Sequence, residues 1–234
     1  MKMSLKMCAL VALFVVGMSS CLKPDDSLNV GVYAYVLQNS DGTFTPQVRL
    51  SGNNLASASV NVAGMNFAFT KVDDWTWELS NGSYFPLGRL DTIPANIYML
   101  TVSGLNGKTE TFGLGFQTTK RMSSVELTTL EYVPSEKKIN VELADSVQNA
   151  TAYFLMITAP TGKDFPKFLM WTPYGDGYKL ELTGDKKLSA TVSVPYLGTG
   201  TYRFAVGASY NSNYAPVFRI SEKTITVTNE KQVE

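Results

Sequence analysis

Histidine, the side chain that exchanges protons near neutral pH and offers a neutral nitrogen ligand, is absent from all 234 residues. A Ser-His-Asp relay, a Cys-His pair and an ordinary zinc site are therefore excluded. Carboxylate chemistry survives that exclusion through Asp73, Asp74, Glu78, Glu181 and Asp185. Glycoside hydrolysis would need two of these to face each other across a cleft at a set separation. Short strands and turns build exposed loops more readily than clefts, so the chain reads as a non-enzyme that needs no cofactor. Asp164, Asp176 and Asp185 lie near turns, and oxygen-rich loops can hold calcium. Their spacing does not approach a dedicated calcium loop, so no metal site is predicted.

Aromatic side chains are the stronger candidates. Trp171, Tyr174 and Tyr178 flank Pro173 and Gly175-Asp176-Gly177, which gathers three rings and the Asp176 carboxylate at one turn. A flat ring suits the C–H face of a sugar, and a carboxylate suits its hydroxyls. Trp75 and Trp77, on one face of an expected strand and preceded by Asp73-Asp74, offer a similar platform. Packing in a core is the competing role for both clusters. The run Tyr210-Asn211-Ser212-Asn213-Tyr214 has the composition of a recognition loop, in which rigid rings supply area and amides adapt their hydrogen bonds. The other reading is a solvated loop whose tyrosines lean on neighbouring strands.

The elements that must position these residues are short β-type runs broken by turn formers. Asn29–Val36 alternates, with Val30, Val32, Ala34 and Val36 on one face, and Ala58–Val62 and Asn66–Thr70 are briefer strands. Ile97–Ser103 and Lys108–Gln117 form the clearest hairpin, joined by Leu105-Asn106-Gly107, where Asn-Gly predicts a type I′ turn. Further strands are expected at Val125–Val133, Ile139–Leu143, Ala152–Thr158, Phe168–Trp171, Tyr178–Leu182, Leu188–Val194, Thr201–Ser209 and Phe218–Val227. Glycine-rich turns separate them. This pattern, with no helical stretch, predicts an all-β chain of two sandwiches, residues 28–120 and 121–234, with the break between Thr118 and Ser123.

Before these lies a short export signal at 1–20. Lys2 and Lys6 give a positive region, Met7–Val16 an apolar core of about ten residues, too short for the ~20 a membrane-spanning helix needs, and Gly17-Met18-Ser19-Ser20 a small-residue approach to Cys21. Met18-Ser19-Ser20-Cys21 resembles the lipobox of bacterial lipoproteins, with methionine where leucine is usual. That resemblance implies cleavage before Cys21, acylation of its sulfur and new amino group, and residence at the bacterial outer membrane. Residues 21–27, with Pro24 and Asp25-Asp26, then read as a tether, and the acidic pair resembles signals that send some lipoproteins to the cell surface. With Cys8 discarded and Cys21 acylated, no thiol is left for a disulfide. The mature balance, 18 basic against 20 acidic residues once Lys2 and Lys6 are gone, leaves no footprint for nucleic acid. The membrane is met through lipid.

Two further resemblances carry expectations. Gly200-Thr201-Tyr202-Arg203-Phe204-Ala205-Val206 resembles the F strand of fibronectin type III and related immunoglobulin-like domains. It implies that the Tyr202 hydroxyl caps a backbone corner, while Tyr202, Phe204 and Val206 share the inward face. Asn96–Val102 resembles the same strand less closely. Asp26-Ser27-Leu28, Asp91-Thr92-Ile93 and Asp145-Ser146-Val147 resemble a short pattern at which some bacteria O-glycosylate exported proteins, implying Ser27, Thr92 and Ser146 as acceptors. Taken together, the chain is expected to be a lipid-anchored binding module that captures a glycan or other extracellular ligand. The alternative is a structural or assembly subunit that docks onto an envelope complex or fibre.

Overall fold

A computed structural model describes residues 28–80, 85–158, 178–180, 188–195, 197–212 and 214–228. Every regular element among them is a strand, and there are fourteen: β1 (Asn29–Gln38), β2 (Phe44–Asn53), β3 (Leu55–Val62), β4 (Met65–Lys71), β5 (Thr76–Leu79), β6 (Asn96–Gly104), β7 (Thr109–Phe116), β8 (Leu127–Val133), β9 (Lys138–Leu143), β10 (Ala152–Thr158), β11 (Tyr178–Lys179), β12 (Leu188–Ser193), β13 (Gly200–Tyr210) and β14 (Val217–Val227). The fold is all-β, with the sheets arranged as open sandwiches of the immunoglobulin-like kind, as the turn-broken alternation predicts. The expected strand Phe168–Trp171 lies outside the described residues.

In the first half the strands run in the order β1-β2-β5-β4-β3-β6-β7. One strand turns the corner between the two layers: Met65–Ala68 of β4 pair with β3, whereas Phe69–Lys71 pair with β5. Alternation then sends Val60, Val62, Phe69, Leu79, Leu100, Val102, Leu114 and Phe116 into one core. Phe85, Tyr98 and Phe116 meet there with ring centroids 5.0 to 6.1 Å apart. Asn29 pairs with Asn53, Thr76 with Ser51, and Leu55 with Gly104. The start of β1 and the β2–β3, β4–β5 and β6–β7 turns therefore share one end of this half.

The β6–β7 hairpin forms as predicted, but its turn is not type I′. Only Gly107 takes a positive φ, of 78°, and Gly107 N–H donates to the Gly104 carbonyl at 3.0 Å. That is a type I turn followed by one left-handed residue. Asn106 is fixed differently: its Oδ1 accepts from Lys108 N–H at 2.9 Å, so the amide frames the turn instead of occupying a left-handed position. The two-residue primed geometry appears at Ala63-Gly64, where both φ angles are positive (51° and 84°) between paired Val62 and Met65.

In the second half β8, β9 and β12 make one sheet in the order β12-β9-β8, and the facing sheet runs β11-β10-β13-β14. Tyr202, Phe204 and Val206 do share the inward face. The Tyr202 hydroxyl donates to the Gly198 carbonyl at 3.1 Å, closing the corner that leads into β13.

The halves are joined edge to edge. Val36 and Leu37 of β1 pair in parallel with Val217 and Phe218 of β14, so the sheet continues across the junction as eleven strands. Gln38 and Met122 exchange two hydrogen bonds: Gln38 Nε2 donates to the Met122 carbonyl and Met122 N–H donates to Gln38 Oε1, both at 2.8 Å. Phe154, Met156, Ala205 and Phe218 form a second apolar cluster on the opposite face of this sheet from the main core, with Tyr35, Leu37 and Ile220 packed against it. Gly207 is required beneath it, because an added Cβ would collide with the Phe154 ring.

Candidate binding surfaces

Tyr210 ends β13, and residues 211, 212 and 214 follow it at the end of the sandwich that also holds Gln148 and Asn149. That end is closed by the stretch between β7 and β8. Tyr210 is only 3% exposed. Its hydroxyl donates to the Lys120 carbonyl at 2.8 Å and accepts from Lys120 N–H at 3.4 Å. Asn149 Nδ2 donates to the Arg121 carbonyl at 2.7 Å, and Gln148 N–H to Ser123 Oγ at 2.9 Å. Ala215 N–H donates to the Gly115 carbonyl at 3.1 Å, and Val36 N–H to the Pro216 carbonyl at 2.9 Å. Residues 215–216 thus lie between the edges of β7 and β1. The Tyr210 ring is spent on holding the halves together and is not available to a ligand. Asn211 and Tyr214 are exposed, while Asn213 lies outside the described residues.

Tyr214 nevertheless takes part in a surface. Its ring lies over Gly115, where an added Cβ would strike it. Gly115 pairs with Ile97 and Gly113 with Met99, and both apolar side chains point away from the core, Ile97 56% and Met99 50% exposed. On the adjoining strands of the same face sit exposed Asn61, which pairs with Met99, and Asn66, whose Oδ1 accepts from Asn61 Nδ2 at 2.8 Å. Ile97, Met99 and Tyr214 therefore form an apolar row flanked by amides, on a face where alternation ordinarily places polar residues. The sequence reading missed Ile97 and Met99. The signal was there in Ile97-Tyr98-Met99-Leu100, four large apolar residues in succession where a half-exposed strand needs only every second one.

The two tryptophans of the first half part company. Trp77 lies in β5 and is buried, whereas Trp75 precedes the strand and is 60% exposed. They do not share a face, because the strand starts after Trp75. Asp73 Oδ1 accepts from Trp75 N–H at 2.9 Å and Thr76 N–H at 2.7 Å, which fixes the turn. Partial desolvation acts to raise the Asp73 pKa, but these backbone bonds outweigh it and hold the carboxyl below its ordinary range. The other two carboxylates that the sequence singles out in this half are also engaged, Asp74 with Lys71 at 3.1 Å and Glu78 with Arg49. Tyr35 has its pKa raised, chiefly by burial, with Arg49 opposing and Glu78 adding to the rise.

Trp171, Tyr174 and Asp176 lie outside the described residues, as do Cys21 and Ser27, and for Tyr178 only the backbone of β11 is described. Thr92 and Ser146 are exposed, each followed by a buried residue, Ile93 and Val147. Among the described residues no group of three or more Asp, Glu, His or Cys could hold a metal ion. No helix among them is long and apolar enough to cross a membrane.

No protein-family model and no curated protein matches this chain. Among solved structures it is similar to a crystal structure of a DUF3823 family protein from Bacteroides ovatus, with 11% sequence identity and a TM-score of 0.31 over 86% of this chain and 100% of that one. Similarity at that level does not assign a shared fold.

Proposed function

We propose that this chain is a lipid-anchored protein of the bacterial outer membrane that works by noncovalent binding, capturing a glycan or other extracellular ligand on the Ile97–Met99–Tyr214 face. The observation that carries the reading is the exposure of two large apolar side chains on the solvent side of β6, beside an exposed tyrosine ring and amides suited to hydroxyls. Apolar area with a few convergent polar groups is the usual make-up of a recognition surface. The scaffold supports it: in the second half a three-stranded sheet faces the strands β11-β10-β13-β14, and a tyrosine corner at Tyr202 closes the entry to β13. Acylation at Cys21 would set this scaffold on the membrane.

Retention on immobilised polysaccharides tests the ligand class. Met99→Asp and Tyr214→Ala should each abolish retention while the urea transition stays near that of the unaltered protein; retention unchanged in both removes this face from consideration. Anchoring is tested apart from ligand capture, since Cys21→Ala should move the protein from the membrane fraction to the soluble one.

A second reading, docking onto an envelope complex or fibre, draws on β7. Among the described residues β7 pairs with β6 alone, and its outer edge already accepts one bond at Gly115. Thr111 and Gly113 present backbone groups in the same direction, a template for an added strand. Thr111→Pro removes one outward N–H without breaking the β6 pairing. Loss of copurifying envelope proteins in that variant, with polysaccharide retention intact, would favour docking.

A further inference from the structure

The geometry points to a second interaction surface, at the opposite end of the first sandwich from the junction: the β4–β5 and β6–β7 turns rest on the lipid surface, with Trp75, Val72 and Leu105 entering the headgroup region. This inference rests on the acylation of Cys21 proposed above.

Three exposed apolar side chains mark this end. Leu105 is 73% exposed, Trp75 60% and Val72 44%, and all three sit on turns at the end where β1 begins. The turns are held in register with one another. Leu105 N–H donates to the Asn54 carbonyl and Gly52 N–H to the Trp75 carbonyl, both at 2.8 Å. The chain enters the fold at the same place, since a Cβ at Gly104 would lie 3.4 Å from Leu28 Cδ1.

Seven residues, Cys21 to Ser27, separate the acylated sulfur from Leu28. Covalent geometry limits their reach to about 25 Å even when fully extended. The lipid attachment therefore keeps this end of the sandwich near the bilayer, and the second half closes the other end. A tryptophan on a rigid turn is well suited to the water–lipid boundary, where its ring is apolar and its N–H finds a partner. Leucine and valine beside it add apolar area. Charge does not oppose the contact, because Lys71 and Lys108 balance Asp73 and Asp74 on the same turns.

Site-specific dyes test the arrangement on the full lipidated protein in phosphatidylethanolamine–phosphatidylglycerol vesicles. Leu105→Cys and Val72→Cys are compared with Met65→Cys, an exposed position at the other end of the same strands, each carrying an environment-sensitive thiol dye. Dyes at 105 and 72 should shift to the blue and be quenched by doxyl-labelled acyl chains, while the dye at 65 reports water. Water-like emission at 105 and 72 in a protein that floats with the vesicles overturns the inference and leaves the anchor standing. A dye-labelled Cys21 in the unaltered protein, which then fails to float, overturns both. Shielding at 105 in native envelopes that is absent from pure lipid vesicles assigns the surface to a protein partner and overturns the lipid assignment.

Discussion

The Tyr210–Tyr214 stretch and the Asp73–Trp75 turn have the same kind of composition, aromatic rings beside short polar side chains, yet the Tyr210 ring is consumed by the fold and the Trp75 ring is left uncovered. Tyr210 is received by the stretch after β7, with its hydroxyl held at Lys120 and its ring in the main core. Trp75 has an equally fixed backbone, framed by Asp73, but nothing among the described residues covers its ring. Rigidity is thus common to both, and burial is decided by what the chain brings opposite. A composition that suits recognition serves internal docking just as well when a second sandwich follows on a short connection.

The largest expected effect breaks the docked side of that comparison. Tyr210→Ala removes a buried ring together with two hydrogen bonds and should destabilise the protein by about 3–5 kcal/mol, as for other large-to-small aromatic changes, read from the urea transition. A cost below about 1 kcal/mol would show that the junction does not depend on this ring.

Gly115 sharpens the same contact. Gly115→Ala forces a methyl into the space of the Tyr214 ring and should cost about 1–3 kcal/mol through overpacking. Most of that cost should vanish in a Tyr214→Ala background, because the two changes share one contact. Additive effects in the cycle would place the ring elsewhere in solution. On the solvent side, Trp75→Ala should change stability by no more than about 0.5 kcal/mol, so a much larger loss would mean that its ring is covered.

How much of this was legible depended on whether a strand has one wet face. β13 shows both regimes within one element: Thr201 to Phe204 alternate exposed and buried, and from Ala205 to Tyr210 every residue is buried. The second apolar cluster and the junction cover what would be the outer face there. The same cause hid β2, where Phe44 to Val48 are all buried, with Pro46 and the polar Thr45 and Gln47 among them. No alternation survives between two covered faces, and no β-branched run replaces it. The Tyr202 corner was readable because its chemistry is local, a hydroxyl reaching four residues back. The fate of Tyr210 was not, because its partner Lys120 lies ninety residues away. Trp75 and Trp77 misled through a boundary: a strand beginning one residue later than expected leaves the first ring outside the alternation.

The smallest effect concerns the frame of the exposed turn and is read through pH. Asp73 carries a carboxyl whose folded pKa lies below the ordinary 3.8, because its charged form accepts the Trp75 and Thr76 N–H groups. A depressed acid stabilises the folded state fully above the unfolded pKa, and the contribution fades as pH falls through the folded value. Asp73→Ala should therefore be less stable than the unaltered protein near neutrality, and the gap should narrow as pH falls below the ordinary 3.8 and through the folded value. Asp41 is also depressed, first by the Thr43 hydroxyl and then by the Thr43 N–H, so both proteins lose stability in acid and only the difference between them isolates the turn. A gap that stays constant from neutral to acid would mean that Asp73 holds the turn by shape and not by charge.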